Sequence, residues 1–86
     1  QNSISENLDS QIHFYPNPVK SGSEIHFNRK TTGHISLCNE LGEFIDINHD
    51  YNGDNYEMPK KIQPGIDIMK LWEEGHLINK KILVTD

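Results

Sequence analysis

The chain has 86 residues, a formal net charge of -5 and a hydrophobic fraction of 34%, with a mean hydropathy of -0.70. That length allows one small domain with a thin core, since a chain of this size buries roughly 60–65% of its unfolded surface and has little room for a deep catalytic cleft. The acidic balance lacks the Lys/Arg surplus that phosphate or anionic lipid requires. Neither nucleic acid nor membrane insertion is therefore expected, and no apolar run approaches the roughly 20 residues of a membrane-crossing helix.

No segment has the charged start and apolar centre of a signal peptide. If the protein is exported, its leader is expected on a larger precursor; the start at Gln1, without an initiator Met, agrees with a fragment or processed product. Residues 1–10 are polar and mixed in charge, with only Ile4 and Leu8 apolar, and read as a linker. From residue 11 to 86 the pattern changes to short apolar runs divided by turn residues.

Ile12 and Phe14 alternate with His13 and Tyr15, a strand ended by Pro16-Asn17-Pro18. Lys20-Ser21-Gly22-Ser23 reads as a turn, and Ile25 and Phe27 mark a second strand. Thr31-Thr32-Gly33 is the next expected break, followed by a third strand through Ile35 and Leu37. Asn39-Glu40-Leu41-Gly42 predicts a tight hairpin turn with Gly42 at positive φ. Phe44-Ile45-Asp46-Ile47 is a fourth strand, and Asn52-Gly53, within Asp50–Asp54, predicts another hairpin turn. Tyr56 and Met58 form a short fifth strand, stopped by Pro59 and therefore expected at an edge. Pro64-Gly65 turns the chain into a sixth strand, Ile66 to Trp72, with Ile66, Ile68 and Trp72 on one face. After Glu73-Glu74-Gly75, the last strand runs from Leu77 to Thr85. Seven short strands with regular turn signals predict an all-β, Ig-like antiparallel β-sandwich.

The order of these motifs is that of a known family. Tyr15-Pro16-Asn17-Pro18 is followed by the strand Glu24-Ile25-His26-Phe27, then by the run from Ile35 through Gly42 to Ile45. Pro64-Gly65-Ile66-Asp67-Ile68 precedes a closing Lys80-Lys81-Ile82-Leu83-Val84. From about Phe14 to Asp86 the chain resembles the type A C-terminal sorting domain of the type IX secretion system of Bacteroidota. The resemblance implies a secretion signal that takes a larger cargo across the outer membrane. The partners implied are an N-terminal cargo domain, the outer-membrane translocon and a surface sortase that removes the signal. The implied route runs through the periplasm to the cell surface or medium. The domain would be a substrate of the sortase and not an enzyme. The recognition residues carried over by this resemblance are Pro16, Asn17, Pro18, Gly42, Pro64, Gly65, Lys80, Lys81, Ile82, Leu83 and Val84. One position departs from the family, which has Tyr where this chain has Asp67; an aspartate there must face solvent or find a partner.

The residues carry further expectations. Pro16 and Pro18 fix φ near -65° and make the start of the folded domain stiff, while the preceding polar segment stays open to a protease. Cleavage is expected within or before Gln1–Ser10. The closing strand, if it lies at an edge, can pair with a partner strand or with a second copy. Lys80 and Lys81 read either as charges that mark register for a receptor or as a solvated face.

Other chemistry is not indicated. The five histidines (13, 26, 34, 49 and 76) make no close ligand pair and read as surface residues. Asp50, Asn52 and Asp54 resemble the opening of a calcium loop, but Asn55 and Lys61 occupy the positions where that loop needs Gly and Glu. No serine has a Gly-x-Ser-x-Gly context, and there is no Gly-rich phosphate loop, so no catalytic residue, metal or cofactor is expected. Cys38, the single cysteine, cannot form an intrachain disulfide and reads as a small apolar strand residue. Trp72 reads as core. With Tyr15, Tyr51 and Tyr56 it could instead form a sugar-binding platform, so a carbohydrate-binding or adhesive Ig-like module is the alternative from another class. A structural Ig-like spacer is a third.

Overall fold

The computed structural model describes residues 12–86; the expected linker and cleavage region at 1–10 lies outside the described residues. Among them the regular elements are six strands: β1 (Phe14–Tyr15), β2 (Val19–Lys20), β3 (Glu24–Asn39), β4 (Phe44–Glu57), β5 (Gly65–Glu73) and β6 (His76–Thr85). The all-β class holds. The expected seven-strand sandwich resolves into six strands of one hydrogen-bonded sheet, in the order β1-β3-β5-β6-β2 with β4 on β3.

The strand count differs because two expected breaks are bends. Thr31-Thr32-Gly33 and Tyr51-Asn52-Gly53 pair with each other, Thr31 opposite Gly53 and Gly33 opposite Tyr51. The register shifts on either side, between His26 and Thr31 and between Gly33 and Ile35. Bulges of this kind bend both strands without ending them. Gly33 makes the bend possible: its φ is +138°, and a Cβ there would sit 1.9 Å from the Trp72 carbonyl oxygen. The Asn-Gly pair at 52–53, read from sequence as a hairpin turn, thus lies inside β4.

The long β3–β4 hairpin carries different partners on its two halves. Near its start β3 pairs with β1, Phe14 opposite Phe27; near its end it pairs with β5, from His34–Trp72 to Asn39–Asp67. β5 and β6 form a second hairpin, closed by Glu74 and Gly75 with φ of 53° and 81°. The expected turn at Asn39–Gly42 is present, with Gly42 at φ +87° and the Asn39 N–H donating to the Glu43 carbonyl at 2.9 Å.

Chain connectivity requires the sheet to curl. β1 lies beside β3 at Phe27, whereas β2 lies beside Val84 of β6, level with the far end of β3 near Asn39, so in a flat sheet the two would stand about 12 residues, roughly 40 Å, apart along the strands. Only Pro16, Asn17 and Pro18 separate them, and the step from Tyr15 to Val19 reaches at most about 14 Å. The curl brings the ends together over one core of Ile12, Val19, Ile25, Phe27, Ile35, Leu37, Tyr51, Tyr56, Met58, Ile62, Met69, Leu71, Ile78, Ile82 and Val84.

β5 buries the opposite face from the one expected. Met69, Leu71 and Asp67 point into the molecule, whereas Ile66 and Trp72 are 42% and 44% exposed. Packing, rather than the count of large residues, decides the face: Met69 and Leu71 lie opposite the buried Leu37 and Ile35.

Candidate functional site

The site begins at Asn17. Its Oδ1 accepts a hydrogen bond from the Leu83 backbone N–H at 2.9 Å, and its Nδ2 donates to the Lys81 carbonyl at 3.5 Å. In an antiparallel strand the N–H and C=O of alternate residues point to the same edge. The Asn17 amide therefore occupies the outer edge of β6, where a neighbouring strand would pair. The backbone takes over one step further on. Val19 and Lys20 pair in parallel with Val84 and Thr85, and the Ser21 N–H donates to the Thr85 carbonyl at 3.1 Å. Pro16 and Pro18, both following cis peptide bonds, have no N–H to place against that edge, and the asparagine between them supplies its side chain instead.

This arrangement gathers most of the residues singled out from sequence. Gly65 lies opposite Val84, Ile66 opposite Leu83 and Ile68 opposite Lys81. Pro16–Pro18, Pro64–Gly65 and Lys80–Val84 thus meet at one corner, where Asn17, Ile66, Lys81, Ile82 and Leu83 line a shallow groove of about 160 Å³. Gly42 stands apart: nothing lies within 4 Å of where its Cβ would be, although its turn and the Pro64–Ile66 segment line one larger cavity.

The closing segment splits by face. Ile82 and Val84 are buried, whereas Leu83 is 41% exposed and Lys81 is exposed. Lys80, read from sequence beside Lys81 as part of one charged patch, is half-buried between the core residues Ile78 and Ile82. The closing strand, read as open to a partner only if it lay at an edge, is largely covered. β6 pairs with β5 along its length, and β2 and Asn17 cover its other edge from Lys81 to Thr85. β4, like the short β1 and β2, pairs on one side only, which agrees with the edge position expected of the strand through Tyr56.

Two further side-chain pairs brace the sheet away from its closing motif. The Arg29 guanidinium grips both Glu73 carboxylate oxygens, at 2.8 and 3.0 Å, and ties the bend in β3 to the end of β5. Its hydrogen bonds hold the Glu73 carboxyl below the usual carboxylate range. The Tyr56 hydroxyl donates to the Asp46 carboxylate; burial, then this bond, raises the tyrosine's pKa. Neither pair was legible in sequence, because 44 residues separate Arg29 from Glu73 and no local spacing announces either contact.

The rival sugar-platform reading loses its geometry. Tyr51 and Tyr56 are 8% and 6% exposed while Tyr15 and Trp72 are open, so the four rings form no exposed row. The outward side of the sheet nevertheless carries large apolar groups missed in sequence, Phe44, Ile47, Trp72 and Leu77 among them. His34 and His49 stand edge to face at 5.5 Å. Cys38 is buried and free, in keeping with its reading as an apolar strand residue. Asp67, expected at the surface or paired, is 5% exposed with Oδ2 lacking a hydrogen-bond partner. Its neighbours in register, Asn39 and Ile82, leave that side chain on the inner face.

No curated protein and no solved structure matches the chain. The family model described as "Secretion system C-terminal sorting domain" matches residues 13–85, a span that begins just before β1 and ends with β6. The strands, the Pro-Asn-Pro crossing and the closing segment all fall within that match, and the chain belongs to the C-terminal sorting domains of type IX secretion.

Proposed function

We propose that this domain carries an attached N-terminal cargo through the outer-membrane translocon of the type IX system and is then removed by a surface sortase. Family membership makes the chain a sorting signal for export across the outer membrane. Periplasmic transit of the folded domain, its removal and cleavage within or before Gln1–Ser10 are the finer parts of the reading. On it the domain is the sortase's substrate and performs no catalysis.

The recognition surface we assign is the corner made by Pro16, Asn17, Pro18, Pro64, Gly65 and Lys80 to Val84, with Gly42 shaping the adjoining turn. The observation that supports it is the contact of Asn17 with the backbone of Lys81 and Leu83. It joins the first and last motifs of the chain into one surface. Exposed Lys81 and Leu83 would present charge and apolar contact to the translocon, and the open edge of β4 would allow two copies to pair.

The test is a fusion of Gln1–Asp86 to the C-terminus of a leader-bearing fluorescent protein, expressed in a strain with a working type IX system. The reporter should reach the surface or medium and lose the domain. A reporter retained in the periplasm with the domain folded and attached would refute the sorting role. A reporter exported with the domain still attached would refute sortase removal alone.

A further inference from the structure

A cavity of about 400 Å³ opens between the β3–β4 turn and the loop that leads into β5. Glu40 and Leu41 of the turn, Ile45 of β4, Lys61 and Ile62 of the loop and Asp67 of β5 are among its lining residues. The chemistry of the lining is uneven. Leu41, Ile45 and Ile62 are apolar, and the two carboxylates of Glu40 and Asp67 outnumber the single Lys61.

Asp67 is the informative group. It is 95% buried, lines the cavity, and has a carboxylate oxygen with no hydrogen-bond donor. A buried polar atom without a partner is costly, more so when charged, so a donor delivered from outside has a large penalty to relieve. Burial, then the charge of Glu40, holds the Asp67 carboxyl above its ordinary range, as expected where no cation faces it. Lys61 is exposed and gives Asp67 Oδ2 no hydrogen bond.

We infer that this cavity takes an alkylammonium or alkylguanidinium group, its cation against Asp67 and Glu40 and its methylene chain along Leu41, Ile45 and Ile62. The ligand class follows from both halves of the lining: a charged donor for the unpartnered carboxylate, and an apolar stem of a few carbons for the walls. A lysine or arginine side chain of a partner polypeptide and a free small amine share this chemistry. The inference goes beyond the sorting role, and neither stands or falls with the other.

The experiment is a titration of the ¹⁵N-labelled 86-residue chain at neutral pH with n-butylamine and, separately, n-butylguanidine, with n-butanol and sodium chloride as controls. Saturable shifts at the amides of Glu40, Ile66 and Asp67 are expected with both cations and with neither control. Asp67→Asn, nearly the same shape, should weaken binding about tenfold, as loss of a charge-assisted hydrogen bond does. If that variant does not fold, Glu40→Gln on the exposed turn should weaken it about threefold. A blocked Gly-Lys-Gly peptide separates the sources: binding by the peptide assigns the site to a polypeptide side chain, and binding by butylamine alone assigns it to a free amine. Absence of saturable shifts overturns the inference. So does equal binding to the wild type and the variants, or calcium chloride producing the same shifts at lower concentration. Export of a reporter fused to Asp67→Asn reads the sorting role independently.

Discussion

Replacing Asn17 by alanine removes a side chain that covers the β6 edge. Two contacts disappear. The bond from the Leu83 N–H is 2.9 Å long, and the one to the Lys81 carbonyl is 3.5 Å, at the limit of a useful interaction. Both lie at the surface, where water can replace the lost partner. The first is therefore worth about 1 kcal/mol and the second close to nothing. With a urea slope of about 1 kcal/mol/M for a domain this small, the unfolding midpoint should fall by about 1 M. Hydrogen exchange at the Leu83 amide is the local assay. That proton should exchange far faster in Asn17→Ala, while the amide of Ile82, whose neighbour across the ladder is Asp67, follows only the global loss of about fivefold. Asn17→Asp keeps the acceptor for Leu83 and should stay within about 0.5 kcal/mol of the wild type. The reasoning is refuted if Asn17→Ala leaves Leu83 exchange unchanged, or if alanine and aspartate lower the midpoint equally.

Gly33→Ala should destabilise by about 3 kcal/mol or more, because it combines an unfavourable positive φ with a Cβ 1.9 Å from the Trp72 carbonyl; urea unfolding measures it, and a loss under 1 kcal/mol would show that the bend does not need glycine. Gly42→Ala separates the two causes, since φ is +87° with open space around it, and should cost about 1 kcal/mol. Glu73 has a depressed folded pKa, so the stability it contributes is complete above the ordinary carboxylate pKa of 4.5 and is lost as pH falls through the depressed value; Glu73→Gln should flatten that acid limb in a pH series of thermal melts. Asp67 runs the other way. Its folded pKa is raised, so the folded state holds the extra proton and stability falls as pH rises from the ordinary value through the raised one. Asp67→Asn should then be more stable than the wild type at neutral pH, by about 1 kcal/mol, with the gain gone once the wild-type carboxyl is protonated.

The turns with special backbone demands were the most legible part of the fold. Gly42 and the Glu74-Gly75 pair sit at positive φ in turns that sequence located, because few residues tolerate that conformation. Thr31–Gly33 and Asn52-Gly53 carried the same signals but lie opposite each other inside paired strands. A local pattern cannot show that two weak points are in register, and so it read two bends as four strand ends. The face of β5 was misread for a related reason. Ile66, Ile68 and Trp72 alternate as well as Asp67, Met69 and Leu71 do, and only the neighbours Ile35 and Leu37 on β3 decide which set turns inward. At the corner, the motif order named residues that the fold brings together. It did not give the Asn17–Leu83 bond, which spans 66 positions, or the burial of Asp67.

That long span bears on what a receptor at this corner would read. Before folding, Pro16–Pro18 and Lys80–Val84 are two separate stretches of chain, and neither contains the surface that both form together. The surface exists only when β2 has paired with β6 and the sheet has curled far enough for three residues to bridge its ends. The curl in turn depends on the bend at Gly33 and on the core beneath it. A receptor that binds the assembled corner therefore selects folded domains over unfolded ones without a separate check. The coupling has a structural benefit as well. An open strand edge invites pairing with any exposed strand, and the asparagine seals the part of β6 that carries the closing motif. For such a receptor, recognition and protection from unwanted pairing would rest on the same few contacts, so a substitution that opens the edge would also remove the surface it binds.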